Sequence, residues 1–321
     1  MDRRALRLLA VVLAIAALST LAAHADAVAP SPGGIITIPV GLNPDGIGLN
    51  PQTNQVYVAN LGDNTVSVID GATNQVVSTI GVGSGPAGVG VNPSTDRIFI
   101  TNYFGGNVSV IKGSRRAVVA TVAVGVNPYG AWSNSVTRHT YVTNYGSNTV
   151  SVIDENSKGT IATIPVGLNP IGVVADPHIN RVYVANFGSN TVSVIDGATN
   201  QVIATIPTGS APQGIAANTR SGRIYVTNNF SNTLSVIDET TNRVRATVRG
   251  LSSPIGVGVN PRTGRVYVAN YASNTVSKID GDTNTILESF PVGTNPRWVV
   301  VNPETNRVYV TNSGDNTVSV I

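Results

Sequence analysis

Cysteine is absent from this 321-residue chain, and its only methionine is Met1. That excludes disulfide staples, thiolate nucleophiles and soft sulfur ligands for a metal. Charge is also scarce, with 12% of residues Asp, Glu, Lys or Arg, and aromatics contribute only 5%. Long apolar runs are missing except for one near the N-terminus, although 41% of the residues are hydrophobic. Outside that run there is no helical periodicity. Apolar residues spread so evenly predict many short buried strands, not a disordered or membrane-embedded chain.

The exception is the N-terminus. Arg3, Arg4 and Arg7 precede the apolar stretch Leu8 to Ala23, and Ala23-His24-Ala25 supplies the small-x-small pattern of an export signal. The run is short of the ~20 residues a spanning helix needs. The expectation is that residues 1–25 are removed, residues 26–34 form a linker, and residues 35–321 form one domain with no stable membrane span. The Arg3-Arg4 pair leaves the general secretory and twin-arginine routes both open. The protein is then secreted or held in the cell envelope. Counted over the whole chain, 20 Lys and Arg stand against 17 Asp and Glu; without residues 1–25 the balance is 17 against 16. No basic stripe remains to track phosphates, so nucleic acid is not the expected partner. An exported domain without disulfides depends on its core alone, which predicts a large, closed one.

What is present is a repeat. Tyr57-Val58-Ala59-Asn60, Phe99-Ile100-Thr101-Asn102, Tyr141-Val142-Thr143-Asn144 and Tyr183-Val184-Ala185-Asn186 are followed by Tyr225-Val226-Thr227-Asn228, Tyr267-Val268-Ala269-Asn270 and Tyr309-Val310-Thr311-Asn312. Each copy begins 42 residues after the last, without an insertion. A period in the 40s, holding several short strands, is the signature of propeller blades. One unit reads as strand a (46–50), strand b (55–60), strand c (65–70) and strand d (75–82), with Val, Ile, Thr and Tyr in the strands and Gly, Asn, Asp and Pro between them. Strand a, rich in Gly and small residues, is expected innermost, where backbones converge on the axis. The seventh unit ends in strand c at Ile321, while residues 35–41 match a strand d. The fold class is therefore an all-β seven-bladed propeller of four-stranded blades, its ring closed by the N-terminal strand.

The repeated Tyr-Val-Thr/Ala-Asn, followed by Asn-Thr-Val-Ser-Val-Ile-Asp, resembles the YVTN β-propeller repeat family, which includes surface-layer-type and YncE-like exported proteins. The resemblance spans residues 35–321. It implies an extracytoplasmic seven-bladed propeller with few assigned activities, and it transfers no functional residue.

Chemistry is thin in this sequence. His139 fills a slot held by Arg in most units, and His178 follows Asp176-Pro177 in an a–b turn, so neither marks a metal site or a Ser-His-Asp triad. Gly83 to Gly88 fits G-x-G-x-x-G without a helix to follow, and Asp280-Gly281-Asp282 lacks the later ligands of a calcium loop. No cofactor, metal or catalytic residue is assigned. The repeated Tyr is expected as core between blades, and the repeated Asn as a partner for backbone groups where the chain leaves strand b.

Informative positions are those where the units disagree. After the recurrent loop Pro stand Asp45, Ala87, Tyr129, Ile171, Gln213, Ile255 and Arg297; the next slot is Gly six times and then Trp298. The b–c loops, on the same face, carry Tyr103, Phe104, Tyr145, Phe187, Phe230 and Tyr271. Asp45, Tyr129, Arg297 and Trp298 are expected to line an inner rim, open to an anion or amine. Tyr103, Tyr145, Phe187, Phe230 and Tyr271 are expected farther out. Flat rings with polar edges suit an extracellular or envelope protein or polysaccharide. The competing expectation is that several rings fold back over the blade tops. On this reading the protein is a non-enzymatic binding propeller. The alternatives are a self-associating surface-layer or adhesive protein, and a lactonase- or lyase-like enzyme.

Overall fold

A computed structural model describes residues 34–321; the expected export segment 1–25 and the linker up to residue 33 lie outside the described residues. The described chain forms 28 strands in seven four-stranded antiparallel sheets. Blade 1 is Pro44–Asn50, Gln55–Asn60, Thr65–Asp70 and Gln75–Gly81, and blades 2 to 6 repeat it. Blade 7 joins β26 (Pro296–Val301), β27 (Val308–Asn312) and β28 (Thr317–Val320) to β1 (Ile36–Pro39), which pairs Ile36 with Val320 and Ile38 with Val318. The ring closes as the sequence predicts. No helix among the described residues is long and apolar enough to cross a membrane.

The radial crowding has a measurable cause. A Cβ at Gly46 would lie 2.0 Å from the carbonyl oxygen of Ala87, and one at Gly88 2.0 Å from that of Tyr129. Only glycine lets neighbouring inner strands approach this closely. Trp298 replaces the glycine in the last blade alone.

Between blades the core is built from the repeated strand-b ring and the Val and Ile of its neighbours; Tyr57 packs with Ile80, Ile98 and Ile100, Tyr183 with Ile215 and Ile224. Burial, with Asp96 adding, pushes the Tyr57 phenol up to about 12. These rings are core, as expected.

The repeated Asn behaves differently from expectation. It serves mainly side chains of the next strand: Asn60 Nδ2 donates to Thr65 Oγ1 and Ser67 Oγ, each at 2.9 Å, and Asn144 Nδ2 to Thr149 and Ser151 at 2.9 Å. Backbone partners are exceptions, as for Gly125 N–H on Asn144 Oδ1 at 3.1 Å. Strand c offers hydroxyls one and three residues into the ladder, so the amide is used within the blade.

The repeated Thr and Arg bonds between blades run one way round the ring, while single contacts such as Thr160 Oγ1 to the Ala123 carbonyl (2.7 Å) run back. Thr101 Oγ1 accepts from Gly88 N–H (2.7 Å) and donates to the Tyr129 carbonyl of the following blade (2.6 Å). Thr143, Thr227 and Thr311 repeat this, the last reaching the Asp45 carbonyl at 2.8 Å. On the opposite face Arg181 donates to the Glu239 carbonyl at 2.7 Å, and Arg307 to that of Gly71. Blade 7 therefore clasps blade 1 by the same contacts that join the others.

Candidate functional site

The d–a and b–c loops are fixed before any partner arrives. Asn64, Asn148, Asn190, Asn232, Asn274 and Asn316 sit in the left-handed region, with φ between 55 and 59°, a conformation asparagine tolerates. Each side-chain oxygen accepts from a backbone N–H of the following d–a loop, as Asn316 does from Asn43 at 2.8 Å. Side chains in the b–c loops pin the same backbone: Ser147 Oγ accepts from Val126 N–H and Ser189 Oγ from Leu168 N–H, both at 2.6 Å. Leu42, Val126 and Leu168 nevertheless project their side chains into solvent.

Beside them lie the aromatics. Tyr103 meets Phe104 edge-on with ring centroids 5.2 Å apart, Tyr129 at 5.9 Å and Tyr145 at 6.4 Å. Phe187 and Phe230 pair edge-on at 5.5 Å. Phe104 is 58% exposed and Phe230 57%, while Tyr103, Tyr145, Phe187 and Tyr271 are half-buried. Burial raises the phenols of Tyr103 and Tyr145, so both remain neutral at physiological pH. The result is an apolar arc of Tyr103, Phe104, Tyr145, Phe187 and Phe230 over blades 2 to 5, while Tyr271, assigned with them from sequence, stands on blade 6.

The four inner residues do not form an open rim. Asp45, 2% exposed, accepts from Arg297 Nε at 2.8 Å, Trp298 Nε1 at 3.0 Å and the Tyr129 hydroxyl at 2.9 Å. Arg297 Nη2 in turn donates to the Tyr129 hydroxyl at 2.9 Å. The anion or amine clamp expected from sequence is closed on itself. It makes a bonded plug across the axis, tying blades 1, 3 and 7. Burial disfavours the Arg297 charge, but Asp45 and then Tyr129 outweigh it and raise the guanidinium above its usual value. Burial and Asp45 raise the Tyr129 phenol, against the opposing pull of Arg297.

The YNCE-like β-propeller family model matches residues 174–265. Over that stretch the chain is similar to YncE-like propellers. Its fold is similar to that of a chain of Kuenenia stuttgartiensis hydrazine synthase, with a TM-score of 0.81, 20% sequence identity, and coverage of 87% of this chain and 95% of that one. At that identity the likeness is one of fold. Among curated proteins the sequence finds no match.

On the opposite face of the propeller, the histidines and the extra acid expected from sequence fall into turns. Asp280 Oδ1 accepts from the backbone N–H of Asp282 (2.9 Å) and Thr283 (3.0 Å), and its other oxygen takes Arg265; these contacts lower it to about 2. His178 is largely exposed, with Nδ1 3.2 Å from Asp176 Oδ1, and His139 begins its strand b. Among the described residues no group of three or more His, Asp and Glu is placed to hold a metal ion.

Two features of this face escaped the sequence reading. Asp176 stands where the other six units end strand a with Asn, and Glu239 where most c–d turns have Gly. Elsewhere that glycine is required: a Cβ at Gly71 would lie 2.5 Å from Asn54 Oδ1 and one at Gly197 2.5 Å from Asn180 Oδ1. In blade 5 the facing turn residue is Gly222, and the Glu239 side chain fills the freed space. In blade 3 the facing turn residue is Arg138, and Glu155 accepts Asn92 Nδ2 at 2.9 Å. Glu239 instead faces another carboxyl. Glu239 is 8% exposed and Asp176 1%, and one Glu239 oxygen has no partner. Burial, the Asp176 charge and a hydrogen bond to Asp176 raise Glu239 to about 7, with Arg181 opposing and Asp238 adding slightly. The raised folded-state value means the stabilising contribution is complete below the unfolded pKa near 4.5 and is lost as pH rises through about 7. Thermal melts should show wild-type protein losing stability from about pH 5 to pH 8 relative to Glu239→Gln. Parallel pH profiles would show that burial beside Asp176 does not hold a proton on Glu239.

Proposed function

We propose that this is an exported, non-enzymatic binding propeller that recognises an extracellular or envelope protein through its d–a/b–c face. The observation that carries the reading is the exposure of Phe104, Phe230, Leu42, Val126 and Leu168 on one face, above loops held by their own hydrogen bonds. Exposed apolar side chains on a pinned backbone cost little ordering entropy on association, and they mark protein interfaces more than sites for polar polymers. Polysaccharide recognition needs convergent free donors and acceptors, whereas the central polar groups, Asp45, Arg297 and Tyr129, are spent on one another. Export rests on the N-terminal sequence pattern.

Phe104→Ser and Phe230→Ser together change the arc without touching the plug. In a pull-down from envelope fractions, the double variant is expected to lose capture of its partner at least about tenfold, with an unchanged melting temperature. Equal capture by both proteins would remove the face from consideration. Concentration-dependent dimers that the double variant abolishes would instead make a second copy the partner, and the function that of a surface-layer or adhesive protein.

A further inference from the structure

The axis of the propeller is not filled. Between the inner strands lies a cavity of about 430 Å³, within the size range of small-molecule sites. It is a blind well. Tyr129 and Trp298 of the plug form its floor, and Pro51, Pro93, Pro177 and Pro303, the first residues of a–b turns, lie at its rim. Its mouth therefore faces away from the aromatic loops.

The wall is uncharged throughout and mostly aliphatic, with Ile47, Leu49, Val89 and their counterparts in successive blades. Ser133 and Asn134, just inside the mouth, are committed elsewhere. Ser133 Oγ bonds Thr140 at 2.8 Å; Asn134 accepts from Val136 N–H at 3.0 Å and donates to Asn180 at 3.2 Å. Water in such a well finds few partners, and a charged guest would lose its hydration without compensation.

One wall residue departs from the repeat. The fifth position of strand a is Gly48, Gly90, Val174, Ala216, Gly258 and Val300 in six blades, and Trp132 in blade 3. There is no room between blades for a large side chain here: a Cβ at Gly48 would lie 2.6 Å from Val89 Cγ1, and one at Gly258 3.1 Å from Val299 Cγ1. The Trp132 indole stands in the well instead, 42% exposed, and its N–H has no hydrogen-bond partner among the described residues. The blade's packing does not call for a large, half-exposed ring with a free donor here, since Gly, Ala or Val fills the slot in the other six blades.

We propose that this axial well binds a neutral, flat, largely apolar small molecule, which stacks on Trp132 and offers an acceptor to its indole N–H. The site is on the face opposite the aromatic loops and is independent of the partner proposed there.

The chain has two tryptophans, Trp132 and Trp298, and both border the well. Titration with N-phenyl-1-naphthylamine, a neutral two-ring probe, should give saturable one-to-one energy transfer from tryptophan. Trp132→Gly, which restores the residue of three other blades, should weaken binding about tenfold; Trp132→Phe should fall between. The sulfonated analogue 8-anilinonaphthalene-1-sulfonate should bind at least about tenfold more weakly. Phe104→Ser with Phe230→Ser should leave the neutral probe's affinity unchanged. The proposal is overturned by absence of saturable binding, by unchanged affinity in both Trp132 variants, or by equal affinity for the sulfonate. Should the glycine variant fail to fold, Trp132→Phe and the sulfonate comparison decide the question.

Discussion

Ile38→Asp is expected to destabilise the propeller by about 4 kcal/mol, while Thr37→Asp, one residue earlier, changes stability by less than about 0.5 kcal/mol. Ile38 is buried with Leu49, Val56, Tyr309, Val318 and Val320, whereas Thr37 points to solvent. The substitution removes a core side chain and places a carboxylate where no partner awaits it. The position also joins the two ends of the ring, because Ile38 pairs with Val318 of β28. Losing that pairing exposes the β28 edge of blade 7 and weakens the contacts from blade 7 to blade 1. Deleting residues 35–41 should consequently lower the melting temperature by at least about 10 °C and broaden the transition. Urea midpoints and thermal melts measure both effects. Equal midpoints for Thr37→Asp and Ile38→Asp would mean that β1 contributes nothing to closure.

The second large effect is expected at the plug. Asp45→Ala leaves the Arg297 guanidinium, one quarter exposed, without its carboxylate, which costs about 3–5 kcal/mol. Replacing both partners, Asp45→Leu with Arg297→Met, should recover most of that loss, because no uncompensated charge then remains. Tyr129→Phe deletes one donor to Asp45 and one acceptor for Arg297, and should cost about 1–2 kcal/mol. Denaturant titration of the double-mutant cycle gives the coupling directly. A single Asp45→Ala penalty below about 1 kcal/mol would show that the plug is not a tie between blades and would return these residues to the status of a vacant rim.

Architecture was legible because it repeats: each strand, turn and core ring is stated seven times, and the missing strand d at one end matches the spare strand at the other. The site was legible only in part. Asp45 and Arg297 stand out as the charged residues of one slot, but their pairing spans 252 residues and depends on the ring closing to bring blade 7 beside blade 1. Tyr129 reaches them from blade 3, which no linear pattern shows. Trp132 was available to the same comparison of slots, three positions after the one that exposed Tyr129. Its meaning depends on the steric exclusion that glycine marks in neighbouring blades. Asp176 and Glu239 were also slot departures. Each looks ordinary alone, and only the inter-blade register makes them face one another. The repeated Asn was assigned to backbone because strand-end amides usually serve it; here Thr and Ser hydroxyls of the adjoining strand lie closer.

The direction of the inter-blade clasps bears on how such a ring could arise. Thr101, Thr143, Thr227 and Thr311 each reach forward to the next unit, and Arg181 and Arg307 do the same on the other face. A duplicated unit would inherit both the grasping side chain and the carbonyl to be grasped, so copies made by unequal exchange in the gene would fit on arrival. Nothing in that handshake counts the units. The axis is where distant units meet: Tyr129 reaches from blade 3 to Asp45 and Arg297 of the adjoining blades 1 and 7, a span set by the circumference. They act as a caliper: adding or losing a unit between blades 1 and 3 would change the span that Tyr129 has to bridge.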